Sequence, residues 1–156
     1  MRRLLLVAAV SAALTLSPTA AATAAEPDLD PDVAHALDAL PGGVLVDEST
    51  VQWPRLGMTL TVAAESVLSV GTCSTGYVCA YSGSNRSGSR LSFAGCSVWS
   101  TAALPSVGSV ANARTSGWVT ARNASGASIA YAGYGMSVNT PAGVTSIACA
   151  GDGVTF

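Results

Sequence analysis

The chain has 156 residues, of which 49% are hydrophobic and only 10% are charged, and its formal net charge is −2. This length suits one small domain with an appendage, and mild acidity without any lysine argues against nucleic acid as a partner. No apolar run reaches the length of a membrane span, so no membrane partner is expected.

The first 25 residues have the pattern of an export signal. Two arginines open it, residues 4–16 form an apolar core, and residues 20–25 are the small residues that precede a cleavage site. Cleavage after Ala25 or Ala24 removes both arginines and leaves five against nine acidic residues, a formal charge of −4. The sequence therefore predicts a secreted, extracellular protein.

Residues 26–72 predict a small α+β extension. Asp30 is the expected N-cap of a short helix, Pro31 lies in its first turn, and the run Pro41-Gly42-Gly43 ends it. Apolar and polar residues then alternate, which predicts a β-meander with strands at residues 44–46, 51–53 and 58–62. So short a segment cannot form its own core. It is either a cover packed on the following domain or a removable pro-region, and we favour the cover.

Residues 73–156 are rich in glycine, serine, alanine and valine, and turn residues recur about every ten positions. This pattern is typical of short antiparallel strands in a sandwich or Greek key. No helix is expected after residue 72. The predicted strands cover residues 77–81, 90–93, 117–121 and 128–131 and a segment near 144–149, with a hairpin turn at residues 123–126.

All four cysteines follow the extension, at Cys73, Cys79, Cys96 and Cys149. In an exported chain, an even number of cysteines indicates disulfides. Two bridges with three alternative connectivities are therefore expected.

One stretch of the sequence resembles a known family. Tyr81, four further residues, then Arg86, Ser87 and Gly88 resemble the βγ-crystallin hairpin pattern, with Arg86 in place of the second aromatic residue. The longer run CSTGYVCAYSGSNRSG resembles the start of peptidase inhibitor family I36, secreted proteins of the crystallin fold related to the Streptomyces metalloproteinase inhibitor. The resemblance extends from about Cys73 to Cys149.

The resemblance implies a mainly β protein, a βγ-crystallin-like double Greek-key sandwich with the helix and β-meander as an N-terminal extension. It also implies that Cys73 pairs with Cys79, which leaves Cys96 for Cys149. Both bridges are then structural. The long one would join the end of one Greek key to the final strand.

An enzyme is not expected. The single histidine, His35, lies in the predicted helix and is far in sequence from every cysteine, so it is interpreted as a solvent-facing residue. No serine has the glycine-flanked context of a nucleophile elbow, and only Asp152 supplies a carboxylate after residue 65. Four paired cysteines and one histidine leave no ligand set for zinc. No cofactor is expected.

Calcium is a candidate ligand because many βγ-crystallin domains bind it. Residues 111–116 resemble the family's calcium motif with its first position lost, which makes Asn112, Thr115 and Ser116 the candidate ligands. The motif here offers no carboxylate, the oxygen ligand that Ca²⁺ favours. A turn stabilised by Asn112 and Ser116 is the favoured interpretation.

For inhibition, the expected device is a rigid exposed loop that enters a protease cleft. Residues 123–126 and 132–135 are the candidate loops, and no reactive bond can be assigned. Tyr134 and Met136 are candidate anchors for a partner. Residues of these types at this spacing are more often found in a core.

The resulting interpretation is a monomeric, secreted protease inhibitor, or inhibitor-like protein, that blocks an extracellular metalloprotease or serine protease with a rigid surface loop. The alternative is a calcium-binding or structural extracellular module without inhibitory activity.

Overall fold

The computed structural model describes residues 29–63 and 73–151. The predicted signal segment therefore lies outside the described residues. Within them the chain forms one α-helix and eleven β-strands, so the prediction of a mainly β fold is confirmed. The elements are α1 (Pro31–Ala39), β1 (Val44–Asp47), β2 (Thr50–Trp53), β3 (Met58–Thr61), β4 (Val78–Tyr81), β5 (Arg90–Phe93), β6 (Val98–Ser100), β7 (Ser109–Asn112), β8 (Trp118–Asn123), β9 (Ser128–Gly133), β10 (Met136–Asn139) and β11 (Val144–Ala150).

Helix α1 begins and ends as its sequence predicts. The side chain of Asp30 accepts a hydrogen bond from the backbone N–H of Asp32 at 2.8 Å, which satisfies one donor of the first turn. Val33 and Ala36 are the buried residues of the helix. No helix within residues 29–63 and 73–151 is long and apolar enough to cross a membrane.

The strands form two antiparallel sheets. The larger has seven strands in the order β1-β2-β3-β5-β4-β7-β10, and the smaller has four in the order β6-β11-β8-β9. Buried residues of both sheets form one hydrophobic cluster. The rings of Phe93 in the larger sheet and Trp99 in the smaller stack with centroids 5.0 Å apart. The core therefore lies between the sheets.

The N-terminal extension joins the larger sheet directly. Its three strands form the predicted meander, and β3 pairs with β5 so that Met58 lies opposite Phe93 and Leu60 opposite Leu91. All four side chains are buried in the common cluster. Trp53 is also buried, and its Nε1–H donates to the carbonyl of Leu40 at 2.9 Å. The extension thus contributes to the same core as the strands that follow it.

Three strands were not predicted, and each has a physical reason. All four residues of β7 are buried, so the strand has no alternation of apolar and polar residues. Strand β6 has only three residues, and β10 is an edge strand that buries none of its side chains. Of the predicted strands, β4 begins at Val78 rather than at residue 77, and β8 and β9 each extend two residues further than expected.

Candidate partner-facing surface

The β4–β5 hairpin contains the two residues of the crystallin-like pattern. Tyr81 lies opposite Arg90 at the end of the hairpin ladder, and its side chain is fully buried. Gly88 has a φ of +75°, and a Cβ added there would overlap the Ser82 side chain and approach the Gly83 nitrogen to 3.2 Å. Only glycine combines a favourable positive φ with the absence of a Cβ, so the glycine of the crystallin-like pattern is required for steric reasons.

Two residues between these positions are unusual in their backbone conformation. Asn85 and Arg86 have φ values of 55° and 63°, in the left-handed region that costs most non-glycine residues about 1–2 kcal/mol. Asn85 exchanges two hydrogen bonds with Asn139, of 2.7 and 3.0 Å. The Arg86 N–H donates to the Ser109 hydroxyl at 2.9 Å. Strands β7 and β10 therefore hold this short segment in place.

The structure has both disulfides that the family resemblance implies. Cys73 is bonded to Cys79 and Cys96 to Cys149, with Cα atoms 5.8 and 5.1 Å apart. The second bridge ties the β5–β6 connection to the last strand, β11. No free cysteine occurs among the described residues.

The first bridge packs beside the buried tyrosine. Cys79, Tyr81 and Ala111 form a small buried cluster, and Cys73 packs against it. Burial raises the pKa of the Tyr81 phenol, and the positive charges of Arg90 and Arg86 offset part of that rise. The cationic hairpin and the bridge thus lie on the same side of the larger sheet.

The connection between β9 and β10 is the exposed feature next to this hairpin. It passes from the smaller sheet to the larger one through Tyr134 and Gly135, and the Gly135 N–H donates to the Asn112 carbonyl at 2.8 Å. Tyr134 is 64% exposed and Met136 62% exposed, so the core positions favoured for them from the sequence are wrong. The predicted loop at residues 132–135 is also shorter than expected, because Ala132 is a buried residue of β9.

A shallow cleft of about 150 Å³ lies between the hairpin and this turn. Strands β7 and β10, the first disulfide and the hairpin all contribute to its walls. Its lining includes Cys73, Arg86, Asn112 and Met136. The cleft therefore combines one cationic side chain with apolar and amide groups.

The other candidate loop is a compact polar turn. Asn123 Oδ1 accepts hydrogen bonds from the Ser125 N–H, the Ser125 hydroxyl and the Ala127 N–H, at 3.1, 2.7 and 3.0 Å. The predicted β8–β9 hairpin at this turn is confirmed. Its residues present no large apolar side chain to a partner.

The candidate calcium residues do not form an open site. Asn112 is 1% exposed; its amide donates to the carbonyls of Gly117 and Ala132, and its Oδ1 accepts from the Arg114 N–H at 3.2 Å. Thr115 is exposed and Ser116 half-buried. These contacts favour the role in a turn that the sequence predicts for Asn112.

His35 is exposed on α1, and its Nε2–H donates to the carbonyl of Ala102 at 3.1 Å. This contact connects the helix to the loop before β7 and brings no nucleophile to the imidazole. In the part of the chain that the structure describes, no three His, Cys, Asp or Glu side chains are grouped so as to hold a metal ion.

Fold and surface together define a small, disulfide-bonded, mainly β protein with an exposed turn beside a cationic hairpin. Residues 69–129, about two fifths of the chain, match the family model described as Peptidase inhibitor family I36, so the resemblance found in the sequence is confirmed. No curated protein and no solved structure matches the chain. The family match supports a peptidase inhibitor function in general terms and implies a protease partner.

Arg86 is the residue of this surface whose role the sequence did not indicate. In the crystallin-like pattern Arg86 stands only as a departure from an aromatic position. The signal that could have found it is the charge pattern, because residues 66–151 contain four arginines and no acidic residue.

Proposed function

We propose that the mature protein is a secreted inhibitor of an extracellular peptidase, and that the β9–β10 turn contacts the enzyme. The observation that carries the proposal is the family match over residues 69–129. The predicted export signal and the two disulfides of the protein fit an extracellular location. The protein then acts by binding and needs no catalytic group of its own.

The β9–β10 turn is suited to binding because it is exposed and held at both ends. Strand β9 pairs with β8, β10 pairs with β7, and the Gly135 N–H is bonded to Asn112. A segment that is ordered before binding loses less conformational entropy when the complex forms. Tyr134 and Met136 are of residue types that are enriched at interfaces.

The test uses purified protein from residue 26 onward against thermolysin-like, subtilisin-like and trypsin-like peptidases at micromolar concentration. We expect at least one peptidase to be slowed. Absence of inhibition across all three classes would refute the function.

A double variant tests the turn. Tyr134→Ala with Met136→Ala is expected to raise the inhibition constant about 30-fold or more, the effect of losing one interface hot spot. The matched control is Val44→Ala with Leu56→Ala, which truncates two exposed apolar side chains of the extension. If both double variants inhibit equally well, the turn does not contact the enzyme.

A further inference from the structure

The charges of this protein are separated along the chain. Residues 29–63 contain five acidic side chains and one arginine, whereas residues 73–151 contain four arginines and no acidic side chain. The first group lies on α1 and the meander, and the second on the strands and turns that follow. All ionised side chains of residues 73–151 are therefore cationic, and the acidic side chains near them come from the extension, as where the Ser89 hydroxyl donates to the Asp32 carboxylate of α1.

Among the four arginines of residues 73–151, Arg86 is the exposed one. Arg114 is half-buried, and its guanidinium donates to the Gly95 carbonyl at 3.0 Å and to the Cys149 sulfur. Arg90 and Arg122 are half-buried and engaged with the protein. The hydrogen bond recorded for Arg86 comes from its backbone N–H, and within the described residues its guanidinium has no hydrogen bond or ion pair.

The position of Arg86 is fixed although its side chain is exposed. Its left-handed backbone is bonded to Ser109 on β7, and the neighbouring Asn85 is bonded to Asn139 on β10. Arg86 lines the same cleft as Gly135 and the exposed Met136. An exposed arginine, whose planar guanidinium has five donors, thus lies at a cleft that is also lined by an exposed methionine.

We propose that Arg86 receives a carboxylate from an acidic surface of the inhibited peptidase, while apolar groups of the enzyme cover Tyr134 and Met136. Guanidinium and carboxylate form short, paired hydrogen bonds that fix orientation as well as charge. No acidic side chain lies between residues 66 and 151 to compete for Arg86 from within its own half of the chain. This inference rests on the proposed inhibitor function and adds the chemistry of the partner.

The charge separation also predicts how the complex forms. An acidic enzyme surface attracts the exposed Arg86 and repels exposed carboxylates of the meander such as Asp47 and Glu48, so it favours one orientation of the inhibitor before contact. Such steering acts on the association rate and weakens as salt is added. A partner with an acidic patch should therefore bind faster at low ionic strength.

The test compares Arg86→Glu with Arg55→Glu, against a peptidase that the wild-type protein inhibits. Arg55 is exposed on the extension, so both variants make the same charge change at different places. Arg86→Glu is expected to raise the inhibition constant about tenfold or more and to slow association most at low salt. Arg55→Glu should stay within about twofold of wild type.

Two further variants separate charge from folding. Arg86→Gln keeps much of the stem without the charge and should weaken inhibition by a smaller factor, with an unchanged melting temperature. Arg86→Lys keeps the charge but not the paired donors, so it should fall between wild type and Arg86→Gln. Inhibition by wild type with equal effects of Arg86→Glu and Arg55→Glu would overturn this inference alone. Failure of the wild-type protein to inhibit any of the peptidases would overturn the proposed function and this inference with it.

Discussion

The extension, residues 29–63, and the disulfide-bonded part, residues 73–151, are stabilised by different means. The extension has no cysteine and relies on buried side chains such as Val51, Trp53 and Leu60. The second part has two disulfides and buries many small residues. Yet β3 and β5 are hydrogen-bonded neighbours in one sheet. The two regions therefore differ in composition, charge and cross-linking, but they share one hydrophobic core.

Removing the extension is expected to have the largest effect. A chain that begins at residue 64 loses the strand paired with β5 and exposes Leu91 and Phe93, which are fully buried in the whole protein. The truncation also removes core side chains of the extension such as Trp53 and Leu60. Loss of one such side chain lowers the free energy of unfolding by about 2–5 kcal/mol, whereas the total for a small domain is only about 5–15 kcal/mol. We expect no cooperative unfolding transition in calorimetry. A chain that begins at residue 29 is the control and should melt like the mature protein. An unchanged melting temperature for the shorter chain would identify residues 26–63 as a removable pro-region.

Removing each disulfide in turn tests how much it contributes to the stability of the disulfide-bonded part. Cys96 and Cys149 are 53 residues apart in sequence and Cys73 and Cys79 only 6. In the chain-entropy account the long bridge is worth about 4 kcal/mol and the short one about 2 kcal/mol. Cys96→Ala with Cys149→Ala should therefore lower the free energy of unfolding in urea by about twice as much as Cys73→Ala with Cys79→Ala. The reverse order would mean that loop closure does not govern their contributions.

One glycine in a turn of each region allows the stability cost of a Gly→Ala substitution to be compared. Gly57 in the extension and Gly88 in the hairpin both have left-handed φ values, of +57° and +75°. A Cβ on Gly57 would make ordinary contact with Ala94 at 3.5 Å, whereas one on Gly88 would overlap Ser82. Gly57→Ala should cost about 1 kcal/mol from backbone strain alone, and Gly88→Ala about 2 kcal/mol or more. Equal losses in chemical denaturation would show that Ser82 moves aside at no cost.

Much of the fold follows from local rules that the sequence displays. The cap at Asp30, the alternation in β2 and β3 and the turn at Asn123 are interactions between near neighbours, so the elements they define were predicted. Strand β7 was missed because its burial on both faces depends on its position between β4 and β10, which is set by distant residues. The exposure of Tyr134 was missed for a related reason, since it follows from the chain passing between sheets at that point.

The two regions also differ in how pH should act on them. In the extension, hydrogen bonds from Ser49 hold the pKa of Asp47 below its ordinary value of 3.8. The contribution of Asp47 to stability is therefore present above that value and is lost as the pH falls through the lowered pKa. Because Asp47 is exposed, Asp47→Asn should change the acid limb of a urea midpoint–pH profile only slightly. A large change would mean that Asp47 has a stronger partner than Ser49.

In the disulfide-bonded part the expected pH effect lies at the opposite end of the scale. Burial raises the pKa of Tyr81 above the value of about 10 that a tyrosine has in an unfolded chain, so the folded protein holds this proton more tightly. The resulting stability is complete below about pH 10 and is lost as the pH rises through the raised pKa. Tyr81→Phe should therefore flatten the alkaline loss in urea midpoints measured from about pH 8 to about pH 12. Tyr131→Phe changes a side chain that is 59% exposed and should leave that loss as it is in the wild type. If Tyr81→Phe still loses stability over the same range, the alkaline sensitivity arises from another group, and the β4–β5 hairpin does not hold a protonated phenol at its base.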